Sequence, residues 1–228
     1  LPPAESHANF TVTVSVTSYE VNDSGTKVSG VNGATSTATV VVNVQAVTDG
    51  IDLKISDGNS FVDTSSAAPV VQTIAEDTAL NLTNLLKVTL ATGDDGNSIA
   101  DTDGSEQRWM TITRLPEGTT LTVGGQPHTI TATESSNGYR IDIPNNYNGV
   151  SPSLPSITVT PPKDFSGDIN NIQITLHAQD QDSDGVGNGP TTGTEITDSV
   201  YLNLHVTPVA GDVAAGDVST NEDTAVAF

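Results

Sequence analysis

Cysteine is absent from all 228 residues. That excludes disulfides, thiolate zinc sites and cysteine nucleophiles, so stability outside a reducing compartment has to come from something else, and a bound metal is one source. Basic residues are nearly as scarce: 7 Lys and Arg stand against 28 Asp and Glu, a formal net charge of −21. Such a chain repels phosphate backbones and anionic headgroups, so nucleic acid is not expected as a partner and neither is direct membrane insertion. No run reaches the roughly 18 consecutive apolar residues of a membrane span. Aromatic residues make up only 4% of the chain, few for a sugar-stacking surface. Long helical apolar spacing is missing too. Leu80–Leu90 comes nearest, but Asn81, Thr83 and Asn84 let it read equally well as a strand and a turn. Leu1-Pro-Pro-Ala has no basic start or apolar core, so the sequence is expected to be a piece of a longer chain, without a signal peptide.

What the chain does have is valine and threonine in alternation, punctuated by 20 Gly and 12 Pro. Period-two patterns predict strands near 51–56, 70–75, 79–90, 108–114, 119–123, 128–133, 139–143, 156–160, 170–179 and 198–207. Turn chemistry separates them, as at Pro116-Glu-Gly118, Gly124-Gly125 and Asn137-Gly138. The fold class expected is all-β, a sandwich of short strands rather than a barrel, with Trp109 and Tyr139 in or near the core.

An internal repeat organises the chain. Val12, Val14 and Val16 return as Ile172, Ile174 and Leu176, 160 residues on. Val40, Val42 and Val44 return as Leu202, Leu204 and Val206, 162 residues on. Glu76-Asp-Thr-Ala79 returns as Glu222-Asp-Thr-Ala225. Residues 1–49 therefore read as the C-terminal part of a preceding repeat, 50–211 as a complete β-sandwich repeat, and 212–228 as the first strand of a following one. Glu76 comes 24 positions after Asp52, whereas Glu222 comes nine after Val213, so 57–68 reads as an insertion, either a loose loop or a specialised contact.

Two acidic loops follow strand patterns: Asp101-Thr-Asp103-Gly-Ser-Glu106 and Asp180-Gln-Asp182-Ser-Asp184-Gly185. Carboxylates two apart on a loop can turn to one side and share a hard cation, and calcium takes about 6–8 oxygen ligands. In an immunoglobulin-like sandwich these loops occupy the B–C and F–G positions, which share one end. The entering linker, with Asp49 and Asp52, belongs at that end, and Glu76-Asp77 is expected to face it as well. The candidate metal ligands are thus Asp49, Asp52, Glu76, Asp77, Asp101, Asp103, Glu106, Asp180, Asp182 and Asp184. Asp and Gly are also ordinary turn residues, but two such loops on one repeat favour a metal. The second loop opens like an EF-hand, yet its twelfth position is Thr191 rather than Glu, so a site built from several loops is expected.

Asn221-Glu-Asp-Thr-Ala, the Asp101–Glu106 loop, Leu115-Pro-Glu-Gly-Thr-Thr-Leu121, Pro161-Pro-Lys-Asp-Phe-Ser-Gly167 and Val206-Thr-Pro-Val-Ala-Gly-Asp212 together resemble the cadherin-like extender repeats of giant type I-secreted RTX adhesins. The glycine-rich nonapeptides of RTX toxins and the DxNDN linker of animal cadherins are absent. The resemblance implies immunoglobulin/cadherin-like β-sandwich repeats in tandem, calcium at the junctions, and an extracellular place on a Gram-negative cell surface. Neighbouring repeats of the same chain would be the partners, and the adhesion ligand would bind elsewhere in the parent protein, supporting cell adhesion and biofilm formation. Residues 1–49 are then either a cut repeat or half of a split domain.

Three functions compete at this stage. A calcium-rigidified spacer leads. A carbohydrate-binding module, using the asparagines around Tyr147 or loop 57–68, is the alternative. An enzyme is not expected: no HExxH, GxSxG or phosphate loop occurs, and the acids lie in polar, glycine-flanked loops. His177 and His205 are expected as cross-strand neighbours on a solvated face.

Overall fold

A computed structural model describes residues 9–44, 47–48, 50–90, 106–144, 153–181 and 193–210. The described chain is all-β apart from one short helix. Its strands are β1 (Phe10–Ser18), β2 (Ala34–Val42), β3 (Ile51–Ser56), β4 (Phe61–Val62), β5 (Val70–Ala75), β6 (Leu80–Asn81) and β7 (Leu86–Leu90). There follow β8 (Glu106–Thr113), β9 (Thr120–Val123), β10 (Gln126–Thr129), the helix α1 (Ala132–Asn137), β11 (Tyr139–Ile143), β12 (Ile157–Thr160), β13 (Gly167–Asp180) and β14 (Ile196–Thr207). Among the described residues no helix is long and apolar enough to cross a membrane.

The largest sheet runs β11-β8-β13-β14-β5. All its pairings are antiparallel except β14 with β5, which is parallel. A four-stranded sheet, β10-β9-β12-β6, and a three-stranded one, β4-β3-β7, share its core. Alternation explains the burial. Ile172, Ile174, Leu176, Leu202 and Leu204 turn inward from β13 and β14 and meet Leu53 and Ile55 of β3, all of them fully or almost fully buried. At about 25 cal/mol per Å² of apolar surface, this one cluster is the main stabilising term of the unit.

β1 and β2 form a separate two-stranded ribbon, with Val12 opposite Val40 and Val14 opposite Ala38. The repeat-equivalent pairs in β13 and β14 are Ile172 opposite Leu202 and Ile174 opposite Val200. The two hairpins therefore hold the same register, although one is buried and the other is not.

Several details depart from expectation. The 79–90 pattern divides into β6 and β7, because Leu85 and Leu86 both donate their amides back to the Leu82 carbonyl in a tight turn. The 128–133 pattern stops early, where Thr131 and Glu134 make a reciprocal capping box that starts α1. The 57–68 insertion is ordered by its own chemistry. Asp57 accepts the amides of Asn59 and Ser60, Phe61 and Val62 pair with β3, and Thr64 accepts the Tyr201 amide at 2.6 Å. The Asp57 carboxyl is held below its usual value, chiefly by the Ser60 amide and then by that of Asn59. Loop 57–68 thus covers an edge of β14 above its pairing with β5.

Candidate functional site

β13 and β14 define two ends, and the predicted ligands divide between them. Asp180 closes β13 and lies opposite Glu106, the first residue of β8. Glu106 is therefore a strand residue rather than part of the preceding loop, and it is 2% exposed. Arg108, two residues along the same strand and also 2% exposed, forms a buried ion pair with it. Asp180 is 7% exposed, and its Oδ1 has no hydrogen-bond partner among the described residues. Among the described residues, Asp180 and Glu106 set two carboxylates near one guanidinium, in a setting where unpaired charge is expensive.

The entering linker reaches this end. Thr48 Oγ1 accepts the Asp180 amide at 3.0 Å, and the Gly193 amide donates to the Asp180 carbonyl at 2.8 Å. Glycine at 193 permits this close approach, because a Cβ there would stand 2.5 Å from Thr48 Oγ1 and 3.2 Å from the Asp180 Cβ. Asp198 binds the linker strand from the next level down, its Oδ2 accepting the Leu53 amide at 2.7 Å.

Asp52 follows Ile51 into β3, but its carboxylate is engaged with its own sheet. It accepts from Thr89 Oγ1 at 3.0 Å and lies 3.5 Å from Lys54 Nζ. Asp52, and after it Asp63, raise the Lys54 ammonium above its ordinary value.

Glu76 and Asp77 do not join the Asp180 end, which corrects the single-junction expectation. β5 runs parallel to β14, so it delivers Glu76 beside the end of β14, where the Glu76 amide donates to the Thr207 carbonyl. Glu76 Oε1 accepts the Val209 amide at 2.8 Å, and Asp77 Oδ1 accepts the Asp164 amide at 3.0 Å. β13 has 14 residues, so at about 3.3 Å per residue the two ends stand about 40 Å apart. Asp49, Asp101, Asp103, Asp182 and Asp184 lie outside the described residues. Among the described residues, no three His, Asp or Glu side chains gather as a metal-ligating group.

The outer face of the large sheet carries a cluster that the sequence reading missed. Trp109 is buried, but on the opposite face of β8 from Met110. His177 stacks on it at 5.1 Å, and the Arg140 guanidinium lies 4.2 Å from its ring centre. His177 Nδ1 is 2.6 Å from Glu195 Oε1. His205 is not its neighbour: His177 faces Thr197, while His205 faces Asp168 near the other end of the hairpin. Register counting from the hairpin turn would have separated the two histidines.

No protein-family model matches this chain, and no curated protein matches it.

Proposed function

We propose that this chain is a non-catalytic, calcium-rigidified extender repeat of a large bacterial surface adhesin. In this reading the sheets sharing one core are an immunoglobulin/cadherin-like sandwich, and the unit is one rod segment in a tandem array. The array projects a ligand-binding region outside the cell, for adhesion and biofilm formation.

One observation carries the reading. Asp180 is a buried carboxylate whose Oδ1 has no partner among the described residues, set against a second buried carboxylate at the end where the linker enters. A carboxylate in such a place favours an added positive charge, and hard oxygen donors suit calcium. Asp180 and Glu106 are the described donors; Asp182 and Asp184 follow Asp180 in sequence, Asp101 and Asp103 precede Glu106, and Asp49 follows Thr48. Bound calcium would supply charge that offsets these carboxylates. The protein's own part is to hold Thr48 and Gly193 against Asp180, which fixes the linker to the sandwich end. Extracellular calcium modules bind at about 10⁻⁴–10⁻³ M, so the same junction would be loose in cytosol and stiff outside.

Small-angle X-ray scattering in EDTA and in millimolar calcium tests this. A narrower, longer distance distribution with calcium is expected, abolished by Asp101→Ala with Asp103→Ala. Identical profiles, together with no calcium-induced rise in melting temperature, would overturn it.

A further inference from the structure

The β1–β2 ribbon has one face of Phe10, Val12, Val14 and Val16 with Val40 and Ala38 opposite, and another face almost entirely of Thr and Ser. On the apolar face Val12 is 41% exposed, Val14 51% and Val16 64%. Isolated two-stranded hairpins are at best marginally stable in water, and a long, uncharged, proline-free edge invites pairing. Neither strand contains Asp, Glu, Lys or Arg, although the chain as a whole carries −21.

The register-matched hairpin in the same chain indicates what such a face takes. There the equivalent face lies over β3, β13 is flanked by antiparallel β8, and β14 is flanked by parallel β5. We infer that β1–β2 is a docking surface for a separate half-sandwich of this same repeat type, joined ahead of Asn9 in the parent polypeptide. That segment presents an uncharged aliphatic sheet, one edge antiparallel to β1 and another edge parallel to β2.

Other occupants fit less well. A second copy has already covered its matching surfaces with its own β13–β14, and two chains of −21 repel. The fit also has a size rule. Val12, Val14 and Val16 replace Ile172, Ile174 and Leu176, and Ala38 replaces Val200, so at these four positions the ribbon side chain is smaller. Opposite them the covering sheet must carry bulkier side chains than residues 51–165 do, or cavities remain. None of this depends on a cation at the Asp180 end.

Hydrogen exchange in EDTA tests the inference separately from calcium binding. In the 228-residue chain, β1–β2 amides should exchange far faster than those of β13–β14. Concentration-dependent protection there would mean that a second copy is the occupant, and would overturn the proposal. A chain with residues 50–168 duplicated ahead of Asn9, and with V12I, V14I, V16L, A38V and V40L to restore the matched volumes, should slow ribbon exchange on the order of tenfold or more. Val14→Asp in place of V14I in that extended chain should abolish the gain. Unchanged ribbon exchange in the extended chain, or protection that survives Val14→Asp, would overturn the proposal.

Discussion

Asp180 and Glu106 face each other as register partners across β13 and β8, both buried, and the Oδ1 of Asp180 has no hydrogen-bond partner among the described residues. Asp180→Asn keeps the shape and removes one of the two like charges. Without calcium the variant should be more stable by about 1–2 kcal/mol, a rise of about 2–8 °C in melting temperature for a unit of this size. The calcium-induced rise should disappear. Scanning calorimetry in EDTA and in calcium reads both. A variant that melts lower in EDTA, yet gains as much from calcium as the parent, would remove Asp180 from the proposed site.

Gly193 sets the approach of the linker to the same end. Gly193→Ala places a methyl 2.5 Å from Thr48 Oγ1 and 3.1 Å from the Thr48 amide nitrogen, so the Thr48 hydroxyl must turn away or the linker must shift. The Asp180 amide then loses its acceptor. Urea unfolding should show a loss of about 1–3 kcal/mol, and the Asp180 amide should exchange faster. Parental stability with a protected Asp180 amide would mean that Thr48 is not held there.

Ile174 and Val14 occupy the same register position in two hairpins with opposite burial. Ile174→Ala should cost about 2–5 kcal/mol, since the side chain is fully buried. Val14→Ala in the 228-residue chain should change stability by no more than about 0.5 kcal/mol. Equal losses in urea titrations would contradict the exposed ribbon.

Much of this architecture was legible in the alternation of side chains. β3, β5 and β11 begin and end where period-two reading places them, because more and less buried residues alternate along most of each strand. The signal for α1 was also present, as Thr131 with Glu134 three positions on, but the preceding strand-like residues masked it. Glu106 was misplaced because an acid beside Asp-Thr-Asp-Gly reads as loop, whereas Arg108 lets it enter the strand. The division of the acids between two ends was not readable, since it follows from the parallel β14–β5 pairing, which leaves no local pattern.

Glu134 gives a pH signature confined to the α1 cap. Its carboxylate accepts from the Thr131 backbone amide, from His128 and from the Thr131 hydroxyl, and these hold its pKa down at about 2. A depressed folded-state value means that the cap contribution is complete above about pH 4.5 and fades as pH falls towards about 2. Carboxyl NMR should find this midpoint near the bottom of the acidic series. Thr131→Ala should raise it towards the ordinary glutamate value, and an unchanged midpoint would refute the assignment.

Glu76 belongs to the opposite end from Asp180, and its effect should be independent. Glu76→Ala removes the acceptor for the Val209 amide, so the segment after β14 should exchange faster, while calcium stabilisation at the Asp180 end persists. Sites about 40 Å apart along β13 share no contact partner, so the double variant with Asp180→Asn should be additive within about 0.5 kcal/mol. A larger coupling energy in EDTA would mean that the two ends communicate through the β13–β14 hairpin. The repeat would then transmit a change at one junction to the next, rather than act as a passive strut.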